Sequence, residues 1–193
     1  MGIDRKNAII DAATWLFARK GFPETSTAEI AENAGVAHGT LFYHFKNKQG
    51  IIREIFRKSG SAYIAELSRA IESRNTGIEK IEAVIRFNRD YSRHHSHQIM
   101  MFLRMFPDLT DPQSPEREFV ESVRSRVIEM IRQSLAAGVK DGTVVCKKID
   151  EAAWVINSLI FGTSHMSFME TANMPDLTES AVAFCRRALG PSE

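Results

Sequence analysis

Cysteine is nearly absent. The two in 193 residues, Cys146 and Cys185, lie too far apart in sequence for a paired-thiolate metal motif or a disulfide framework, and both are expected as small apolar residues packed inside. Long hydrophobic runs are missing too. The longest uncharged stretch, Ala152 to Met169, carries Asn157, Ser158, Thr163, Ser164, His165 and Ser167, so it reads as a buried helix rather than a membrane span. The first apolar run, Ile9 to Ala18, is broken by Asp11 and lacks the flanks of a secretory leader, so a cytoplasmic protein with no membrane partner is expected. There is no phosphate-cradling Gly-rich loop, no GxSxG elbow and no HExxH pair, and the glycines are scattered as helix breaks. No catalytic residue and no cofactor is therefore assigned. His94, His95 and His97 invite a metal reading, since His94 and His97 share a helical face. With no Cys, Asp or Glu close behind them they are read as solvated, and no metal site is assigned.

What is present is an ordinary globular composition, 44% apolar and 25% charged, enough to bury a real core. The net charge of +1 excludes little, but its distribution is uneven: residues 1–58 hold nine Lys/Arg against six Asp/Glu, and the remainder sixteen against eighteen. A modestly basic head on a slightly acidic body fits a nucleic-acid-reading segment attached to something else.

Helical periodicity dominates, with no internal repeat and no convincing strand, and about nine helices make the fold class all-α. Ile9, Ala12, Ala13, Leu16 and Phe17 form one apolar face of a first helix that Gly21 ends, with Phe22 placed to pack back. Ser26-Thr27-Ala28-Glu29 has capping-box spacing and opens a short second helix with Ile30, Ala31 and Ala34 inward. Gly35 breaks it, and a third helix runs from Val36 to Phe45. Asn47 can cap a long fourth helix over 48–74, a rod on the order of 40 Å. Further helices are expected over 78–95 and 98–106, then a loop from Pro107 to Pro115, a helix from Phe119 that closes at Gly138, an apolar helix over 149–169 and a last one over 176–189.

Two short helices joined at Gly35 have the geometry in which one helix braces the other across a DNA backbone while the second enters the major groove. Leu41 and Phe45, four apart, should face inward. That leaves His38, Gly39, Thr40, Tyr43 and His44 outward, a surface with donors, one small residue, an aromatic ring and no acid, suited to phosphates and base edges.

The run Ala12-Ala13, Leu16-Phe17, Lys20-Gly21-Phe22, Thr25-Ser26-Thr27, Glu29-Ile30-Ala31, Ala34-Gly35-Val36, Gly39-Thr40-Leu41, Tyr43-His44-Phe45 and Asn47-Lys48 resembles the DNA-binding domain of the TetR family without a gap. The resemblance implies a helix-turn-helix domain over 1–48, with the motif itself at about 26–45, and a ligand-binding and dimerisation domain over 49–193. It also implies phosphate contacts from Thr25, Ser26 and Thr27, a groove-facing set of His38, Gly39, Thr40, Tyr43 and His44, and a backbone contact from Lys48. Capping and phosphate contact are compatible at Ser26. Two positions depart from the pattern: Ala37 stands where the family usually has a capping Ser or Thr, and Phe42 where it often has a Tyr that reaches phosphate.

Beyond about Gly60 no motif is specific, and the resemblance implies a variable helical bundle whose last two helices, here 149–169 and 176–189, pair two copies of the chain. Phe87, Tyr91, Met101, Phe102, Met105, Phe106, Trp154, Phe161 and His165 are the candidates to line a mostly apolar effector pocket, although for each of them an ordinary core position is the commoner role. The expected function is a homodimeric repressor of double-stranded, pseudo-palindromic operator DNA, released by a small, largely apolar effector. Activation by the same kind of protein is the runner-up, and a helical enzyme or adaptor, which would leave the acid-free third helix unexplained, is remote.

Overall fold

The computed structural model describes residues 4–110, 113–114, 116–168 and 175–191, with backbone alone at 106–110. Among these residues there are nine helices and no strand, in the order α1 (Arg5–Lys20), α2 (Thr27–Asn33), α3 (His38–His44), α4 (Lys48–Glu72), α5 (Gly77–His94), α6 (Ser96–Thr110), α7 (Arg117–Asp141), α8 (Ile149–Ser167) and α9 (Thr178–Leu189). None of them is long and apolar enough to cross a membrane.

Backbone packing divides the chain into two units. The first comprises the chain up to residue 61 together with 95–120, and the second 62–94 together with 121–193. The first unit is thus larger than the expected segment 1–48. It takes in the opening half of α4 and all of α6, because Met101 and Met105 of α6 are buried in one apolar cluster with Ile9, Ile10 and Phe17 of α1, Leu41 of α3 and Ile52 and Ile55 of α4. In sequence, Met101 and Met105 read equally well as pocket lining, since a 3.6-residue stripe shows that a face is buried and not against what.

Around this core the local signals act as their chemistry requires. Asp4 accepts from the amides of Lys6 and Asn7 and so caps α1, and Gly21, at φ +89°, carries the chain out of it. Ser26 and Glu29 form the full capping box of α2. Glu54 on α4 accepts hydrogen bonds from Arg57 and from Lys6 of α1 at 2.8 and 2.7 Å. Those donors, Arg57 first, hold its carboxyl down from the ordinary 4.5 to about 2. A depressed carboxylate stabilises the folded state above its unfolded pKa and loses that effect as pH falls through the folded one. Glu54→Gln is therefore expected to lower the melting temperature near neutrality, where the carboxylate's contribution is complete, and to converge with the wild type as pH falls from about 4.5 to 2, a comparison made by calorimetry at a series of pH values.

The second unit has its own core, with Leu67 of α4, Ile81 and Val84 of α5, Ile131 and Leu135 of α7, and Ala153 and Ile156 of α8 among its members. Two boundaries differ from the sequence reading here and in α6. Helix α6 continues through Pro107 to Thr110, where a loop from Pro107 was expected; positions 111, 112 and 115 lie outside the described residues. Helix α7 runs through Gly138 to Asp141 rather than closing at the glycine. Gly138 is there for close approach: a Cβ built on Gly77, at the start of α5, would stand 2.1 Å from the Gly138 backbone. Asp141, the last residue of α7, accepts from the Gly77 amide at 2.8 Å and Thr143 Oγ1 from the Ile78 amide at 3.2 Å, so the end of α7 and the turn after it cap α5. The Thr143 hydroxyl and the Gly77 amide hold the Asp141 carboxyl below its usual range.

Candidate nucleic-acid interface

Helix α3 is anchored on one side and open on the other. Leu41 and Phe45 are buried, whereas Tyr43 is 86% exposed and Phe42 and Gly39 also face solvent. Gly35, at φ +63°, supplies the left-handed turn between α2 and α3. Tyr43 and His44 meet edge-to-face at 5.2 Å, and Thr40 and His44 are half-buried beside them. The outward side of α3 carries no carboxylate. Of the two acids on α2, Glu29 is engaged by Lys20, and that bond together with the Ser26 amide lowers its pKa to about 2.

The residues at the start of α2 divide into different roles. Thr25 is 1% exposed, and its hydroxyl donates to the Gly21 carbonyl at 2.8 Å, so this side chain braces the loop and its hydroxyl does not reach the surface. Ser26 is exposed and engaged in the capping box. Thr27 Oγ1 lies 3.1 Å from Nε2 of His38, so two of the expected DNA-facing side chains bond each other.

Lys48 is used differently from what the resemblance implied. Its ammonium donates to the carbonyls of Phe22, Pro23 and Thr25 at 2.7, 3.2 and 2.9 Å and sits 4.4 Å from the centroid of the Phe22 ring. An ammonium has three donors, and here all three are taken. Lys48→Ala is accordingly expected to lower the stability of this unit by about 1.5–3 kcal/mol, read in thermal denaturation. The slope of log affinity against log salt should change by less than the roughly one unit that a lost phosphate contact would give.

The pocket candidates are dispersed. Met101, Phe102 and Met105 belong to the first unit, and the side chain of Phe106 lies outside the described residues. In the second unit Phe87 and Tyr91 cluster with Tyr63, ring centroids 5.3 and 4.9 Å from it, and Tyr63 donates to Asn88 Oδ1 at 2.7 Å. Burial raises the pKa of Tyr63, and burial with the nearby Glu66 charge raises that of Tyr91 to about 12, so both hydroxyls stay protonated. Phe161 and His165 pair edge-to-face at 6.0 Å on α8, whereas Trp154 is 49% exposed with the Arg124 guanidinium 5.8 Å from its ring centroid.

A cleft of about 110 Å³ is lined by Ile85, Asn88, Arg89 and Ser92 of α5, Thr163, Ser164 and Ser167 of α8, Pro175, Asp176 and Leu177 ahead of α9, and Thr178 and Ala181 within it. Arg89 closes one side by pairing with Asp176 at 2.9 Å. None of the nine sequence candidates lines it. The available signal was the spacing 85, 88, 89 and 92 on α5, and the Thr and Ser residues in the last turns of an otherwise apolar α8.

A helix-turn-helix whose second helix has an outward face free of acid, in a chain all of whose described elements are helices, defines a DNA-binding transcription regulator. Residues 9–55 match the family described as bacterial regulatory proteins, tetR family. The HTH-type transcriptional repressor KstR2 of Mycolicibacterium smegmatis is 24% identical over 159 residues, 78% of this chain and 77% of that protein. The fatty acid metabolism regulator protein of Bacillus subtilis is 26% identical over 160 residues, 80% of this chain and 77% of that protein. Among solved structures, the transcriptional regulator FadR from Bacillus subtilis in complex with stearoyl-CoA superposes with a TM-score of 0.79 at 22% identity, covering 92% of this chain and 96% of that one, and so shares the fold. Residues 9–55 are thus similar to the DNA-binding domain of the tetR family.

Proposed function

We propose that the protein is a cytoplasmic, homodimeric repressor that binds a pseudo-palindromic operator through α3 and is released by a small, largely apolar effector bound in its second unit. The observation that carries the DNA half of this reading is the exposed, acid-free face of α3, held by buried Leu41 and Phe45. Gly39, Thr40, Tyr43, His44 and the free ring nitrogen of His38 are its groove-facing groups, with Ser26 and Thr27 beside them. Thr25 and Lys48 support that face from behind.

Dimerisation is supported by the outer side of α8 and α9, where Trp154, Val155, Phe161, Met166 and Phe184 are exposed. A chain that shows so many large apolar groups on two helices packed against α5 is expected to cover them, and a second copy would do so while placing two recognition helices on successive major grooves, roughly 34 Å apart.

For the effector, the relative named as a fatty acid metabolism regulator and the stearoyl-CoA complex of one structural neighbour support a largely apolar molecule. Tyr63, Phe87 and Tyr91 provide a matching surface, with Phe161 and His165 further candidates. The cleft of about 110 Å³ is well below the roughly 300–1,000 Å³ of pockets for drug-sized ligands. A bulky effector must therefore open the second unit to enter, and that requirement gives it a preference between two conformations.

The test is an electrophoretic shift with the DNA upstream of the protein's own gene at low salt, followed by effector titration with and without operator. Binding is expected, and operator should weaken effector affinity by the same factor by which effector weakens operator affinity, typically about 5- to 150-fold. An effector that releases DNA while its own affinity ignores operator would remove the two-state account.

A further inference from the structure

Helix α3 begins weakly. Ala37 at its N-cap offers no side-chain acceptor, and Gly39 in the first turn adds backbone freedom. Seven residues have no helical stability of their own, so the first turn must be held from outside.

The side chain in position to hold it is His38. Its Nε2 lies 3.1 Å from Oγ1 of Thr27, the first residue of α2. One turn on, its ring meets Phe42 edge-to-face with centroids 4.8 Å apart. Thr27 in turn stands on a fixed base, because the reciprocal Ser26–Glu29 bonds define the first turn of α2.

We propose that His38 is a positioning residue: its bond to Thr27 ties the first turns of α2 and α3 together and restrains the recognition helix where a capping hydroxyl is missing. The bond also sets what the imidazole can offer to DNA. With Nε2 engaged, Nδ1 is the single ring nitrogen left for a base edge or a phosphate, and Phe42 keeps the ring from turning. The departures at Ala37 and Phe42 thereby belong to one arrangement, in which the imidazole supplies the restraint that Ala37 lacks and Phe42 supplies the surface on which the imidazole rests. The consequence at DNA rests on the operator reading, whereas the tie itself is a property of the free protein.

Amide hydrogen exchange in the free, full-length protein reads the tie directly. Thr27→Val removes the hydroxyl at nearly constant shape, and His38→Phe removes the bonding nitrogen while keeping a ring against Phe42. Each is expected to speed exchange of the Leu41 to Phe45 amides about three- to ten-fold, the worth of a typical cap, with α1 and α4 unchanged as the internal control for folding. The double variant should go no further than either single one, and Ala37→Ser should restore slow exchange in both backgrounds. Operator affinity by fluorescence anisotropy should fall in Thr27→Val and recover with Ala37→Ser, and the double variant should bind no more weakly than His38→Phe alone, which also loses Nδ1. Unchanged exchange in both single variants overturns the proposal, as do additive affinity losses with slow exchange intact, which would assign both side chains to DNA directly. The expected exchange pattern in a protein that binds no operator would sustain the tie and overturn the operator reading instead.

Discussion

Gly77→Ala is expected to unfold the second unit or to lower its melting temperature by roughly 10 °C or more. The added Cβ would stand 2.1 Å from both Cα and N of Gly138 and 2.7 Å from the Ser134 carbonyl oxygen. All three atoms are backbone in the last turns of α7, so no rotamer change relieves the overlap and the start of α5 must move away. That movement breaks the bonds from the Gly77 and Ile78 amides to Asp141 and Thr143. Overpacking a core commonly costs about 1–3 kcal/mol, and a clash between two helix backbones belongs at or above the top of that range. Gly138→Ala should behave alike, since its Cβ would meet Val144 at 2.4 Å and Gly77 Cα at 3.3 Å. Differential scanning calorimetry checks both variants, and melting within about 2 °C of the wild type in both would show that α5 and α7 have room to separate.

The second large effect is on assembly. Val155 and Phe184, 61% and 58% exposed, stand on the outer sides of α8 and α9, so glutamates there should leave the monomer's core intact. If a second copy covers this surface, Val155→Glu with Phe184→Glu buries four unpaired carboxylates in the dimer, two from each protomer, and light scattering should report a monomer. A lone helix-turn-helix then loses the effective concentration that the partner's domain provides, and operator affinity should fall by about 10²- to 10⁴-fold with the melting temperature of the monomer unchanged. A double variant that remains dimeric would place the interface elsewhere.

The first 48 residues were legible in the sequence because almost everything that shapes them is local. The capping box at Ser26 and Glu29, the break at Gly35 and the inward pair Leu41 and Phe45 each act over a few residues, and the structure shows all of them. Side-chain roles were harder to read even there. Thr25 and Lys48 are polar residues of the kind that meets phosphate, yet their hydrogen bonds run to loop carbonyls that the sequence does not mark as nearby.

In the second unit the difficulty lies in α8. With Trp154, Val155, Ile156, Leu159, Ile160 and Phe161 around its circumference, its hydrophobic pattern has no preferred side, and only packing shows that Ile156 and Ile160 are inside while Trp154 and Val155 are outside. The cleft residues Asn88, Arg89, Ser92, Ser164 and Asp176 come from three segments up to 88 positions apart, and no local spacing brings them together.

By itself the sequence determined the all-α class, the number and order of the helices and the helix-turn-helix, because each of these follows from periodicity, caps and breaks that operate within one or two helical turns. Tertiary structure alone decided that α6 joins the DNA-reading unit, that Gly138 is a crossing point rather than a helix end, that Lys48 holds a loop and that Trp154 faces solvent. Each of those outcomes depends on which surface a side chain meets from a distant part of the chain, and a pattern of residue types records the need for burial or for a partner without naming which one supplies it.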